Sequence, residues 1–178
     1  MFGLYEDFPK NIHGITRFQH NNLSKDLQHA ILKTLYRLNN EIFDFGVLTQ
    51  YIKQNCEISF EFGVADGFSF SFLDQNELDH CLKRVDETEL GTLDFFFAVR
   101  YHIFKDDDKR VPLRFDYHVL RFFFQKDILE LRIRHEKGIR RVSLDDLSRF
   151  LVDQINDELS RRQLEPLFFG NFNKVNLQ

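Results

Sequence analysis

The sequence predicts an α+β domain: an antiparallel sheet of about five strands, two hairpins plus a meander strand, packed on its Phe-rich face by an N-terminal helix and a long C-terminal helix. Three observations carry this expectation. Apolar residues recur at spacings of three and four near both ends of the chain, and they alternate with polar residues through the middle. No repeat or Pro/Gly/Ser-rich linker divides the 178 residues, so residues 1–178 read as one domain, with 164–178 an apolar tail.

Residues 22–39 form the first helix, with Leu27, Ile31, Thr34, Leu35 and Leu38 on one face and Asn22 or Ser24 available as N-cap. Residues 44–54 carry a weaker helical stripe of Val47, Leu48, Tyr51 and Ile52, although Ile42, Phe43 and Phe45 equally suit the start of a strand. From Glu57 the period is two. Ile58, Phe60, Phe62 and Val64 alternate with small or polar residues, Ala65-Asp66-Gly67 forms a loop, and Phe68, Phe70 and Phe72 continue the alternation. Pairing Val64 with Phe68 puts every one of these Phe residues on the same face.

Residues 74–88 read as a short helix capped by Asp74, with Glu77 completing a capping box and Leu78, Leu82 and Val85 inward. Thr92 to Phe104 and Val111 to Phe124 are long strands joined by a charged loop. Opposite-charge matching sets Arg100 against Asp116, His102 against Arg114 and Ala98 against His118, with Val99 facing Tyr117 on the other side. The apolar parity then changes at Leu120, Phe122 and Phe124, which calls for a bulge or a strand covered on both faces. A tight turn leads to a third strand, Ile128 to His135, with Leu129, Leu131 and Ile133 inward. Ser143 caps the strongest helix, Leu144 to Gln163, striped by Leu147, Leu151, Ile155 and Leu159; Pro166 ends it. The tail holding Phe168, Phe169 and Phe172 is too apolar to dangle in water, and docks on its own core or on a partner subunit.

Composition closes several functional options. A net charge of −4 argues against a surface that neutralises many phosphates, so nucleic acid is a disfavoured partner. Two cysteines, Cys56 and Cys81, lie outside any C-x-x-C spacing, which removes a zinc or disulfide framework and suits a reducing cytoplasm. No secretory leader pattern and no long apolar run is present, so no membrane partner is expected. The chain lacks the linear motifs of nucleotide-binding, hydrolase, zinc-protease and EF-hand proteins, and no cofactor or metal is expected.

Four residue groups are functional candidates. Arg100, His102, Arg114, Asp116 and His118 make a polar sheet face in which a His near a carboxylate suits acid–base work and two Arg suit an anion. Arg132, Arg134, Lys137, Arg140 and Arg141 run into the helix N-terminus at Ser143, a pattern that holds anions. Phe60, Phe62, Phe70 and Phe97 are candidate lining for an apolar cavity under the last helix, and Phe168, Phe169 and Phe172 for an interface. With 22 Phe and no recognisable catalytic motif, the first expectation is a non-enzymatic protein-interaction or assembly module, homodimeric or bound to another protein. A small apolar-ligand binder is the first alternative, and an anion or nucleic-acid contact through residues 132–141 the second.

Overall fold

The structure, a computed structural model, describes residues 1–44, 56–104, 110–169 and 173–174. These build β1 (Gly14–Gln19), α1 (Ser24–Leu38), β2 (Ile42–Asp44), β3 (Cys56–Asp66), β4 (Ser69–Phe72), α2 (Gln75–Glu87), β5 (Thr92–Phe104), β6 (Arg110–Gln125), β7 (Ile128–Lys137), α3 (Leu144–Arg161), β8 (Phe168–Phe169) and β9 (Asn173–Lys174). The weak helical stripe of residues 44–54 lies outside the described residues apart from Asp44, which closes β2.

All the strands belong to one antiparallel sheet, ordered β2-β3-β5-β6-β7-β1-β8, with β4 also pairing β3 and β9 also pairing β1. The mixed α+β class matches the sequence reading; the strand number does not, because the described residues hold nine strands where about five were expected, and the sheet curls into a half-barrel. The additions come from segments too short or too weakly alternating to register as strands. β1 carries Thr16 and Phe18 inward and was not expected at all; it fills the gap between β7 and the tail.

The helices occupy the inner face. Asp74 caps α2 by accepting from Glu77 N at 2.8 Å, and Ser143 caps α3 by accepting from Asp146 N at 3.1 Å. α1 has neither expected cap: its N-cap position is Leu23, without a side-chain bond, while Ser24 Oγ accepts from Gln28 one turn on. Leu27, Ile31 and Leu35 of α1, Leu147, Leu151 and Ile155 of α3, and Phe60, Phe62 and Phe97 of the sheet share one core. A third helix, α2, packs beside α1 through Leu78, Cys81 and Val85. No helix among the described residues is long and apolar enough to cross a membrane.

Both hairpin registers differ from the sequence expectation by an amount that exchanges faces. β3 and β4 are joined by the two-residue turn Gly67-Phe68, with Gly67 at φ +69°, so Ala65 pairs Phe70 and Gly63 pairs Phe72. Phe70 and Phe72 therefore stand on the outer face, away from the core, and Phe68 is 72% exposed. β5 pairs β6 with Val99 opposite Asp116 and Phe97 opposite His118, shifting at Tyr101/His102. Charge matching is the wrong guide there. Aligning Leu93, Phe95, Phe97, Val99 and Tyr101 with Leu120 and Phe122 on one face buries far more apolar surface than the Arg–Asp pairing would gain, and no change of parity is then needed.

The tail runs along its own chain: Phe169 pairs Phe18, Phe168 pairs Gln19, and Asn173 pairs Ile15. Asn156 of α3 grips the approach, its amide donating to Leu167 O at 3.1 Å while its carbonyl accepts from Leu167 N at 2.8 Å.

Candidate functional site

The register divides the expected polar face in two. Arg100 and His102 remain on the outer face, where Arg100 meets Glu61 at 2.6 Å and His102 Nε2 lies 3.1 Å from Ser59 Oγ. Asp116 and His118 are on the inner face and buried. The side chain of Arg114 lies outside the described residues.

Asp116 is the hub of a buried polar cluster. Its carboxylate accepts from Tyr101 OH at 2.6 Å, His135 Nε2 at 3.2 Å, and the backbone amides of Arg140 at 2.8 Å and Arg141 at 3.2 Å. Burial alone would raise its pKa; these donors outweigh burial and hold it below the usual carboxylate range. Two backbone features make the amides available. Arg140 has φ 51°, and Gly138 has φ +116° at a point where a Cβ would stand 2.2 Å from Asp116 Oδ1.

His118 lies beside this hub, stacked on Phe97 with ring centroids 4.7 Å apart and edge-on to His135 at 5.2 Å. Neither of its ring nitrogens has a hydrogen-bond partner among the described residues. Burial, with the positive potential of His135, Arg140 and His13 and against the pull of Asp116, lowers its pKa from 6.5 to about 3. His13 links β1 to the cluster by accepting from His135 N at 3.1 Å, and burial with the charges of Arg140 and Arg134 lowers its pKa too.

The pH consequence has a definite sign. The unfolded chain protonates His118 as pH falls through 6.5, and the folded chain does not until about 3, so stability is lost across that window. The slope is about 1.4 kcal/mol per pH unit for this one group. Asp116 acts in the same direction at the acid end. Urea unfolding at pH 6.5, 5.5 and 4.5 should show a falling midpoint, and His118→Leu should flatten the dependence by about one proton. An equal slope in the variant would refute the assignment.

As chemistry, the cluster is closed. Asp116 is 1% and His135 11% exposed, so a dissolved substrate does not reach the pair while residues 138–142 stay in place. Both thiols are buried, and burial raises the pKa of Cys56 and of Cys81, away from thiolate reactivity. Among the described residues, no group of three His, Cys, Asp or Glu is placed to hold a metal ion.

The basic segment is engaged by carboxylates of its own chain. Arg140 and Arg141 give their amides to Asp116, and the Arg141 guanidinium lies 5.7 Å from the Tyr101 ring centroid. Arg132 pairs with buried Glu130, which Arg17 also meets at 2.8 Å; Arg134 pairs with Glu136 at 3.3 Å, and Ser143 is used as a cap. Lys137 is exposed at the end of β7. Of the cavity-lining candidates, Phe60, Phe62 and Phe97 stack in series in the core with Phe150 of α3, whereas Phe70 is on the opposite face of the sheet. Of the interface candidates, Phe168 is 62% exposed, Phe169 is placed by its backbone on β1, and Phe172 lies outside the described residues.

The outer face holds what the sequence reading missed. Tyr5, Phe70, Phe96, Tyr117 and Phe115 follow one another across four segments, with ring centroids 4.7, 5.7, 5.6 and 6.1 Å apart, and Arg100 caps the row 5.0 Å above Phe115. Between Phe72 and Phe115 the row borders a groove of about 200 Å³ floored by Gly63 and Ala98. Small side chains on β3 and β5 are what let the flanking rings approach; a Cβ at Gly63 would press on Phe70 Cβ at 3.3 Å. Triplet runs such as Phe95-Phe96-Phe97 were the available signal, since one ring of three must face away from the core.

The chain matches no known family, no curated protein and no solved structure.

Proposed function

We propose that the protein is a non-enzymatic interaction module whose working surface is the outer face of the sheet between β4 and β6, where it meets another protein. One observation carries this reading: a row of aromatic rings in contact, tilted at Tyr5, Phe70 and Phe96 and stacked from Phe96 to Phe115, beside a groove on the sheet face where polar side chains are the norm, with Phe72 55% and Phe68 72% exposed. Aromatic side chains and Arg are the residues that dominate binding energy at protein interfaces, and here they stand together without helix cover. The closed Asp116 cluster supports the non-enzymatic part, because its acid–base groups are spent on holding the fold.

Photo-cross-linking tests it. Benzoyl-phenylalanine at position 72, in the cells that make the protein, should give a discrete adduct whose partner mass spectrometry identifies, while the same group at Asp146 on α3 should not. Equal adducts at both positions, or none at 72, would remove the reading. Phe72→Ser should leave the melting temperature within about 2 °C of the parent, because a surface side chain contributes little to the core.

A further inference from the structure

The backbone of the link between β7 and α3 is fastened at one point. Residues 138–143 belong to no helix or strand; Gly138, Ile139 and Arg140 are exposed, and Val142 is the residue whose side chain is buried. Among the described residues, the backbone of 138–142 makes two hydrogen bonds to the rest of the chain, from the amides of Arg140 and Arg141, and both end on the Asp116 carboxylate. A segment with so few ties opens without dismantling the sheet beneath it.

Histidines surround the fastening. His118 of β6 is 2% exposed and neither ring nitrogen has a partner among the described residues. Its neighbour His135 of β7 contacts Asp116, and His13, just before β1, has Nδ1 3.3 Å from Arg140 Nη2. Arg134 of β7 and Arg141 of the link add positive charge, and Glu136 is taken by Arg134. On β3 and β5, burial keeps Cys56 and Tyr101 neutral. Asp116 is the carboxylate that faces the imidazoles. Burial and the arginine charges hold His118 and His13 neutral in the closed cluster below the pH at which a solvated histidine takes its proton.

We infer that the link is an acid-opened latch: as pH falls from neutral into the mildly acidic range, residues 138–142 leave Asp116 and water reaches His118 and His13, while the strands of the sheet stay paired. The sign follows from proton uptake. The open form binds a proton that the closed form excludes, so each histidine that gains one favours opening about tenfold per pH unit below about 6.5. Asp116, held below the usual carboxylate range, stays ionised through this window and supplies the closing force. The latch is independent of the outer-face reading, since Asp116 and His118 stand on the opposite side of the sheet.

Hydrogen exchange of the full chain by NMR tests it, with each amide's rate divided by its unfolded-peptide rate at the same pH. At pH 7.0 to 4.5, the Arg140 and Arg141 amides should be at least a hundredfold less protected than Phe97 and Val99 in central β5, and should lose about tenfold or more per pH unit below 6.5. His118→Leu, or His13→Gln, which keeps an acceptor for the His135 amide, should make that loss shallower. Link amides that match Phe97 and Val99 at every pH would show that opening is global unfolding, and would overturn the latch. So would link protection that does not change with pH, link amides already unprotected at pH 7.0, or an undiminished slope in both variants.

Discussion

Asp116→Ala is expected to cost about 3–5 kcal/mol of folding stability, the range found when one partner of a buried charged network is removed. The loss has several parts. Tyr101 OH, His135 Nε2 and the amides of Arg140 and Arg141 all donate to this carboxylate, and alanine leaves them buried without an acceptor. Asp116→Asn keeps one acceptor oxygen and should cost less. Tyr101→Phe removes a single donor and should cost about 1–2 kcal/mol. Urea denaturation followed by circular dichroism measures all three, and a loss below about 1 kcal/mol for Asp116→Ala would mean that the 138–142 link does not depend on the carboxylate.

Gly138→Ala is the second large effect. At φ +116° an L side chain is strained whatever the space, and here the space is absent: the new Cβ would lie 2.2 Å from Asp116 Oδ1 and 2.5 Å from Phe115 O. Relief requires the link between β7 and α3 to move off Asp116, so the substitution should approach the cost of Asp116→Ala, about 3 kcal/mol or more. Gly91→Ala provides the control. Its Cβ would meet nothing within 4 Å, and its melting temperature should stay within about 2 °C of the parent. If the double substitution Gly138→Ala/Asp116→Ala costs no more than either single one, the two act through the same contact.

Helices and the central meander were legible because their signals are local. Asp74 and Ser143 announce their helices within four residues, and Leu129, Leu131 and Ile133 alternate without ambiguity. Registers were not, since a shift of one residue exchanges the faces of a whole strand and both β5 and β6 contain runs of three Phe that satisfy either parity. The meeting of Arg140 and Arg141 with Asp116 was hidden for the same reason. The two residues beside a capped helix do bind a carboxylate, but the carboxylate belongs to β6, and sequence spacing carries no trace of that meeting. β1 escaped notice because Thr16 and Gly14 take inward positions that an apolar pattern would fill with larger residues.

The place of β1 bears on how the chain is made. Its neighbour β7 follows it by roughly 110 residues, and its other neighbours β8 and β9 come later still. At ribosomal rates of about 5–20 residues per second, β1 leaves the exit tunnel roughly 5–20 s before either side of it has a strand to bond. Through that interval Phe18 and Ile15 are carried in the open on a nascent chain, so the far later arrival of β7 and of the tail strands is the step that seals the first strand.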